Sequence, residues 1–268
     1  MTDLVERLVP DELWTLFRRV VPPTEVIRPQ GGGRRRAGDR ECLAAIIFVA
    51  TSSCTWRQLP PVCGPAWPTV YRRFAQWSRD RAWARLHRVI LDEVGARGEL
   101  DWSRCAIDSV SVRAAKGDLT GPNPTDRGKP GSKIHLITDR NGVPLSLGVS
   151  GANTHDSLGL EPLVRGIPPI RSRRGPRRRR PAKLHADKGY DYDHLRKWLR
   201  ERRIRHRIAR KGIESSTRLG RHRWAVERTV SWLAGCRRLH RRYERMAEHF
   251  LAFVGIAAAF ICYRRLTN

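Results

Sequence analysis

The sequence predicts a mixed α/β fold: a mixed sheet flanked by helices, preceded by an all-α region. Two observations carry this expectation. Residues 1–95 read as helical, and the texture changes near Gly95, after which strand-like runs come first and strands then alternate with helices. The chain therefore divides into a helical region, 1–95, and a sheet-bearing region, 96–268.

The elements follow in order. Pro10-Asp11-Glu12-Leu13-Trp14 has the acidic first turn of a helix start. Residues 28–40 hold Gly31-Gly32-Gly33 and Arg34-Arg35-Arg36, which reads as a flexible basic loop. Residues 41–50 are almost wholly apolar, as in a buried helix. Trp56-Arg57-Gln58-Leu59-Pro60-Pro61 reads as a turn, and 68–78 as a helix. There Val70, Phe74 and Trp77 form one stripe, while Arg72, Arg73, Gln76 and Arg79 take other directions. That pattern suits a helix-turn-helix unit reaching a major groove, and it suits an ordinary amphipathic helix equally well.

Strands are expected at 104–112, 133–138 and 143–149, the last two joined by Asp139-Arg140-Asn141-Gly142, a hairpin cue. Residues 116–131, rich in Gly, Pro and Asp, read as a surface loop. A short helix at 156–165, a strand at 184–187, a helix at 192–203 and a strand at 205–208 come next, and helices at 218–234 and 248–265 close the chain. Between these elements the loop at 171–181 carries seven Arg and no acid, which suits a mobile segment with a nonspecific grip on a phosphate backbone.

Composition narrows the partners. Lys plus Arg is 53 against 26 Asp plus Glu, a formal charge of +27, with pI about 11.4. Such an excess favours nucleic acid or an anionic membrane surface. Only seven of the basic residues are Lys, and Arg binds phosphate bidentately. The longest apolar stretch, 250–262, is short of the roughly 20 residues of a spanning helix, so no membrane partner is expected. No signal peptide opens the chain. The six Cys show no C-x-x-C spacing, which excludes a zinc ribbon or redox motif and fits small core residues in a reducing cytoplasm.

Three acids stand among apolar neighbours, where a carboxylate is costly unless paired or holding a metal. Asp108 lies in Cys105-Ala106-Ile107-Asp108-Ser109-Val110, Asp187 ends Leu184-His185-Ala186-Asp187, and Glu227 sits in Arg223-Trp224-Ala225-Val226-Glu227-Arg228. On a helix Glu227 shares a face with Trp224, Val230, Ser231 and Ala234, a stripe expected to face the sheet. Plain structural readings stand beside these. Asp108 also suits a strand end, Asp187 a turn, and Glu227 an ion pair with Arg223. His155-Asp156 reads as a helix start capped by Asp156 or Thr154, His185 as a neighbour supporting Asp187, Asp139 as a hairpin residue and Glu244 as part of a surface Arg–Glu cluster.

Taken together, Ala106-Ile107-Asp108-Ser109, Gly151-Ala152-Asn153-Thr154-His155-Asp156, His185-Ala186-Asp187-Lys188-Gly189-Tyr190 and Arg223-Trp224-Ala225-Val226-Glu227-Arg228-Thr229 resemble the motifs of bacterial insertion-sequence transposases of the DDE type, of the insertion-sequence-five kind. Trp56-Arg57-Gln58-Leu59-Pro60 and Thr69-Val70-Tyr71-Arg72-Arg73-Phe74 resemble their N-terminal DNA-binding region. The ordered set spans nearly the whole chain.

The resemblance implies an RNase H-like core and a metal-binding triad of Asp108, Asp187 and Glu227. It implies two Mg²⁺ or Mn²⁺ ions, and double-stranded DNA as partner, both terminal inverted repeats and target. A homodimer or higher assembly on that DNA and a cytoplasmic, nucleoid-associated location are expected with it. Candidate DNA contacts are Arg72, Arg73, Lys133, Lys188, Arg223 and Arg228. The chain departs from the family pattern at Gly220, where an aromatic residue is common, and at Ala234, where a basic one is; Arg228, Arg237 or Arg238 are the nearby cations. Two alternatives share much of this reading: an RNase H-like nuclease or resolvase that cuts without joining, and an inactive DNA-binding relic.

Overall fold

A computed structural model of the chain describes residues 4–22, 36–212 and 216–267, without the side chains of 216–223. Five helices come first: α1 (Leu4–Leu8), α2 (Asp11–Arg18), α3 (Asp39–Ser52), α4 (Trp67–Arg79) and α5 (Ala82–Arg97). Asp11 and Glu12 occupy the first turn of α2, as its sequence predicts. Of the expected flexible basic loop, residues 28–35 lie outside the described residues, and Asp39 and Arg40 already open α3. In α4 the stripe Val70, Phe74 and Trp77 is fully buried. Two 3-10 turns, Trp56–Gln58 and Pro61–Cys63, join α3 to α4.

The sheet is built from β1 (Cys105–Ala114), β2 (Gly121–Pro122), β3 (Pro130–Asp139), β4 (Pro144–Gly151), β5 (Lys183–Ala186), β6 (Arg205–Ile208) and β7 (Arg241–Arg242). Its main order is β4-β3-β1-β5-β6, with β2 beside the start of β3 and β7 beside the end of β1. The first three long strands are antiparallel; β5 and β6 run parallel to β1. This is the mixed sheet that the sequence leads one to expect.

The β3–β4 hairpin turns as the Asn-Gly cue predicts. Gly142 has φ +84°, and the Asp139 carboxylate accepts hydrogen bonds from the Asn141 and Val143 N–H groups at 2.8 Å each. The expected helix at 156–165 is a 3-10 turn, Asp156–Gly159, followed by α6 (Leu160–Gly166). The remaining helices are α7 (Asp193–Glu201), α8 (Ser216–Ala234) and α9 (Ala247–Thr267). By length and composition α9 is apolar enough to cross a membrane, yet it is largely buried inside the fold, against α5 and β4. Apolar all round, it is the central helix of one hydrophobic core running from Val9 to Tyr263. Phe253 of α9 stacks on Phe74 of α4 at 4.7 Å, so the helical region and the sheet share that core.

The Arg-rich segment 171–181 is tethered. Arg177 ion-pairs with Asp92 at 2.7 Å, the backbone of Ile170 bridges to Arg178, and Arg178 lies over Trp102. The segment is largely exposed, as expected of a loop, and Arg177 ties it to Asp92 of α5. The reading of Glu244 is corrected. It is not on the surface: only 4% of its side chain is exposed, and it pairs with the equally buried Arg238 at 2.8 Å.

Candidate active site

Neighbouring strands carry or lead to two of the three predicted acids: Asp108 lies within β1, and Asp187 directly follows β5. The parallel ladder pairs Cys105 with Leu184 and Ala106 with His185. Asp187, still extended at φ −79° and ψ −175°, follows β5 directly. Asp108 and Asp187 each lie two residues beyond the last pair of that ladder, Ala106 with His185, in line with the side of the sheet those two residues take. A short apolar strand, Lys183–Ala186, delivers one carboxylate to the sheet end; the long strand β1 delivers the other from mid-strand.

Local hydrogen bonds orient them. One Asp108 oxygen accepts from the Ser109 N–H at 2.8 Å, and one Asp187 oxygen accepts from the Gly189 N–H at 2.9 Å, capping the 3-10 turn Lys188–Tyr190. The turn reading of Asp187 is thus realised. These two carboxylates offer hard oxygen donors of the kind Mg²⁺ or Mn²⁺ prefers.

Glu227 stands apart, and here the sequence reading is corrected. The helix α8 does pack across β1, β3 and β5, but it buries Ala225, Val226, Thr229, Leu233 and the following Cys236. Glu227 is on the opposite, exposed side with Trp224, Ser231 and Ala234. Two hydrogen bonds and two ring contacts set this rotation. Thr229 donates its hydroxyl to the Gly142 carbonyl at 2.6 Å, Arg228 donates to the Asn141 carbonyl at 2.9 Å, and the Arg228 guanidinium lies over Trp224 and Trp232. Among the described residues, no three His, Cys, Asp or Glu side chains are gathered closely enough to hold a metal ion.

A second polar cluster lies across β1 from Asp108, on the face that Ser109 and Lys133 share. Asp156, expected to cap a helix, leaves that task to His155, whose Nδ1 accepts from the Ser157 N–H. The Asp156 carboxylate instead accepts from the Ser109 hydroxyl at 2.8 Å and the Lys133 ammonium at 2.9 Å. Burial pushes its pKa up, but the hydrogen bonds from Lys133 and Ser109 outweigh burial and hold it below the ordinary carboxylate value. The sequence signal was present in the run ending His155-Asp156; what it did not disclose was the pair of partners on other strands.

The basic candidates divide the same way. Arg72 is exposed, and Lys188 is half-buried beside Asp187. Arg73 ion-pairs with Asp39 at 3.2 Å and lies near the Trp77 ring. Lys133 is committed to Asp156, and Arg228 to the hairpin and two Trp rings. The Arg223 side chain lies outside the described residues.

Comparison with known proteins agrees with this architecture. Residues 101–262 match the family described as "Transposase DDE domain", and residues 9–87 match "Putative transposase of IS4/5 family". The putative transposase for insertion sequence element IS402 of Burkholderia cepacia is 48% identical over 85% of this chain and 95% of its own length. The transposase for insertion sequence element IS1106 of Neisseria meningitidis serogroup B is 27% identical over 71% of this chain and 73% of its own. A synaptic complex of piggyBac transposase with hairpin DNA has a TM-score of 0.50 at 9% identity, covering 97% of this chain and 74% of that one, a likeness of fold. By these matches, over a mixed sheet flanked by helices, the chain belongs to the DDE transposases of the IS4/5 type.

Proposed function

We propose that this transposase frees the 3′ ends of its element by hydrolysis and joins them to target DNA at a site built on Asp108, Asp187 and Glu227. The parallel pairing of β1 with β5, whose last pair lies two residues before Asp108 and Asp187, is the observation that supports the reading. Asp108 and Asp187 would hold a divalent ion, one of two expected, which when bound would supply activation of water and relief of charge at phosphorus. Glu227, on the outer side of α8, joins the set through a rotation of α8 on the sheet when DNA binds. Water adds to phosphorus and the element's 3′ oxygen leaves as a hydroxyl. That hydroxyl then displaces a 3′ oxygen of the target strand, with no covalent enzyme intermediate.

The family matches change at the end of the helical region, between 87 and 101, which supports residues 1–95 as the part that binds terminal inverted repeats. Arg72 and Lys188 are the cations offered to DNA; Arg73, Lys133 and Arg228 become available only by exchanging their present partners. Joining two ends calls for at least a homodimer on DNA. The reading places the protein on the nucleoid in the bacterial cytoplasm.

The test is a strand-transfer assay with the element's own ends, run alongside a mobility-shift measurement of DNA binding. Glu227→Gln is expected to bind DNA normally and to lose both cleavage and joining. Cleavage without joining by the wild-type chain would favour a nuclease or resolvase. Full activity of Glu227→Gln would remove that residue from the site.

A further inference from the structure

The Asp156 cluster is not needed to hold the turn it belongs to, since His155 already caps it. It reaches instead across the sheet. Lys133 projects from β3 and donates to both Asp156 and the Thr154 carbonyl, the latter at 2.8 Å; Asp156 in turn holds the hydroxyl of Ser109 on β1, the residue next to Asp108. On the far side, the His155 ring meets Tyr192 edge-on at 5.7 Å, and the turn Asp156–Gly159 packs against Lys188–Tyr190, the turn capped by Asp187. Close approach requires Gly159, because a Cβ there would lie 2.9 Å from His135 Nδ1. One continuous set of contacts therefore runs from the strand neighbour of Asp108 to the turn that begins at Asp187.

We propose that Asp156 and Lys133 are positioning residues that fix the separation of Asp108 and Asp187 by clamping β1 to the Asp187 turn. The proposal rests on the reading of Asp108 and Asp187 as the metal-holding pair. Lys133 is only 13% exposed and Asp156 31%, so the clamp is partly shielded from water. Outer contacts of this kind govern how well first ligands hold a metal, and losing one costs about 10–100-fold in affinity.

Mn²⁺ titration of the full-length chain, followed by the electron paramagnetic resonance of free Mn²⁺, separates the possibilities. Asp156→Asn removes a negative charge near the site; Lys133→Gln removes a positive one. Positioning predicts that both weaken Mn²⁺ binding, by about tenfold or more. A purely electrostatic influence predicts opposite signs, with Lys133→Gln binding more tightly, and that result overturns the proposal. A merely structural ion pair predicts lower thermal stability with unchanged Mn²⁺ affinity, which overturns it as well. Should either variant fail to fold, Ser109→Ala deletes only the link to β1 and is expected to weaken Mn²⁺ binding by a smaller factor; unchanged affinity counts against the clamp. Asp108→Asn serves as the reference. If it leaves Mn²⁺ binding intact, the metal site itself has been misplaced; if it abolishes binding while Asp156→Asn and Lys133→Gln do not weaken it, the clamp alone is wrong.

Discussion

Glu244→Ala probes how the N-terminal helices are fastened to the sheet-bearing region. The carboxylate accepts from Arg238 Nε at 2.9 Å and Nη2 at 2.8 Å, and its second oxygen accepts from the Tyr243 N–H at 3.2 Å. Arg238 donates its remaining arm to the Cys54 carbonyl, just past α3, and lies between the rings of Tyr243 and Phe253. With 6% and 4% of the side chains exposed, water cannot replace the lost partner. Removing one member of a buried pair costs about 3–5 kcal/mol. Arg238 keeps Cys54 and both rings, so the lower end applies, about 3 kcal/mol. For a chain of this size that is a fall in Tm of about 6–12 °C. Glu244→Gln retains an acceptor without the charge and should lose about half as much. Calorimetry and urea titration read both values. If both variants lie within about 0.5 kcal/mol of wild type, the pair behaves as a surface contact and the argument fails.

Two further expectations follow from the same reasoning. Arg72→Ala should lower the salt slope of DNA binding by about one counterion, whereas Arg73→Ala, which breaks the Asp39 pair, should chiefly reduce stability; equal slopes for Arg72→Ala and wild type would remove Arg72 from the interface. Asp139 and His87 oppose each other in pH. Burial raises the Asp139 pKa to about 6 despite three backbone hydrogen bonds, so its contribution is complete below pH 3.8 and is lost as pH rises through 6. Burial lowers the His87 pKa to about 4, so its contribution is present above 6.5 and is lost as pH falls through 4. Stability of Asp139→Asn should therefore rise from pH 4 to 6.5 relative to wild type, and that of His87→Gln should fall; shifts of the same sign in urea unfolding would contradict both assignments.

What the sequence disclosed was what local periodicity encodes. The α4 stripe, the Asn-Gly hairpin and the strands bearing Asp108 and Asp187 all follow from spacing within one element. Glu227 was misread because α8 has two competing arcs. Trp224, Val230 and Ala234 look apolar in sequence, but the hairpin at Gly142 selects the arc of Ala225, Thr229 and Leu233, where a threonine hydroxyl and small side chains allow close approach. Asp156 reads as a cap because Asp is a common capping residue, and its partners lie on other strands, Lys133 on β3 and Ser109 on β1. The tether of the Arg-rich segment to Asp92 and the burial of Glu244 depend on contacts between elements, which no local window contains.

The central claim is that Asp187, together with Asp108, ligates a divalent ion. Asp187→Cys exchanges a hard oxygen for a soft sulfur at that position while Asp108 remains. Cleavage of element-end DNA by this variant should be lost in Mg²⁺ and partly restored in Mn²⁺ or Cd²⁺, which accept thiolate ligands more readily. Wild-type cleavage by Asp187→Cys in Mg²⁺, with no dependence on the metal supplied, would contradict the account.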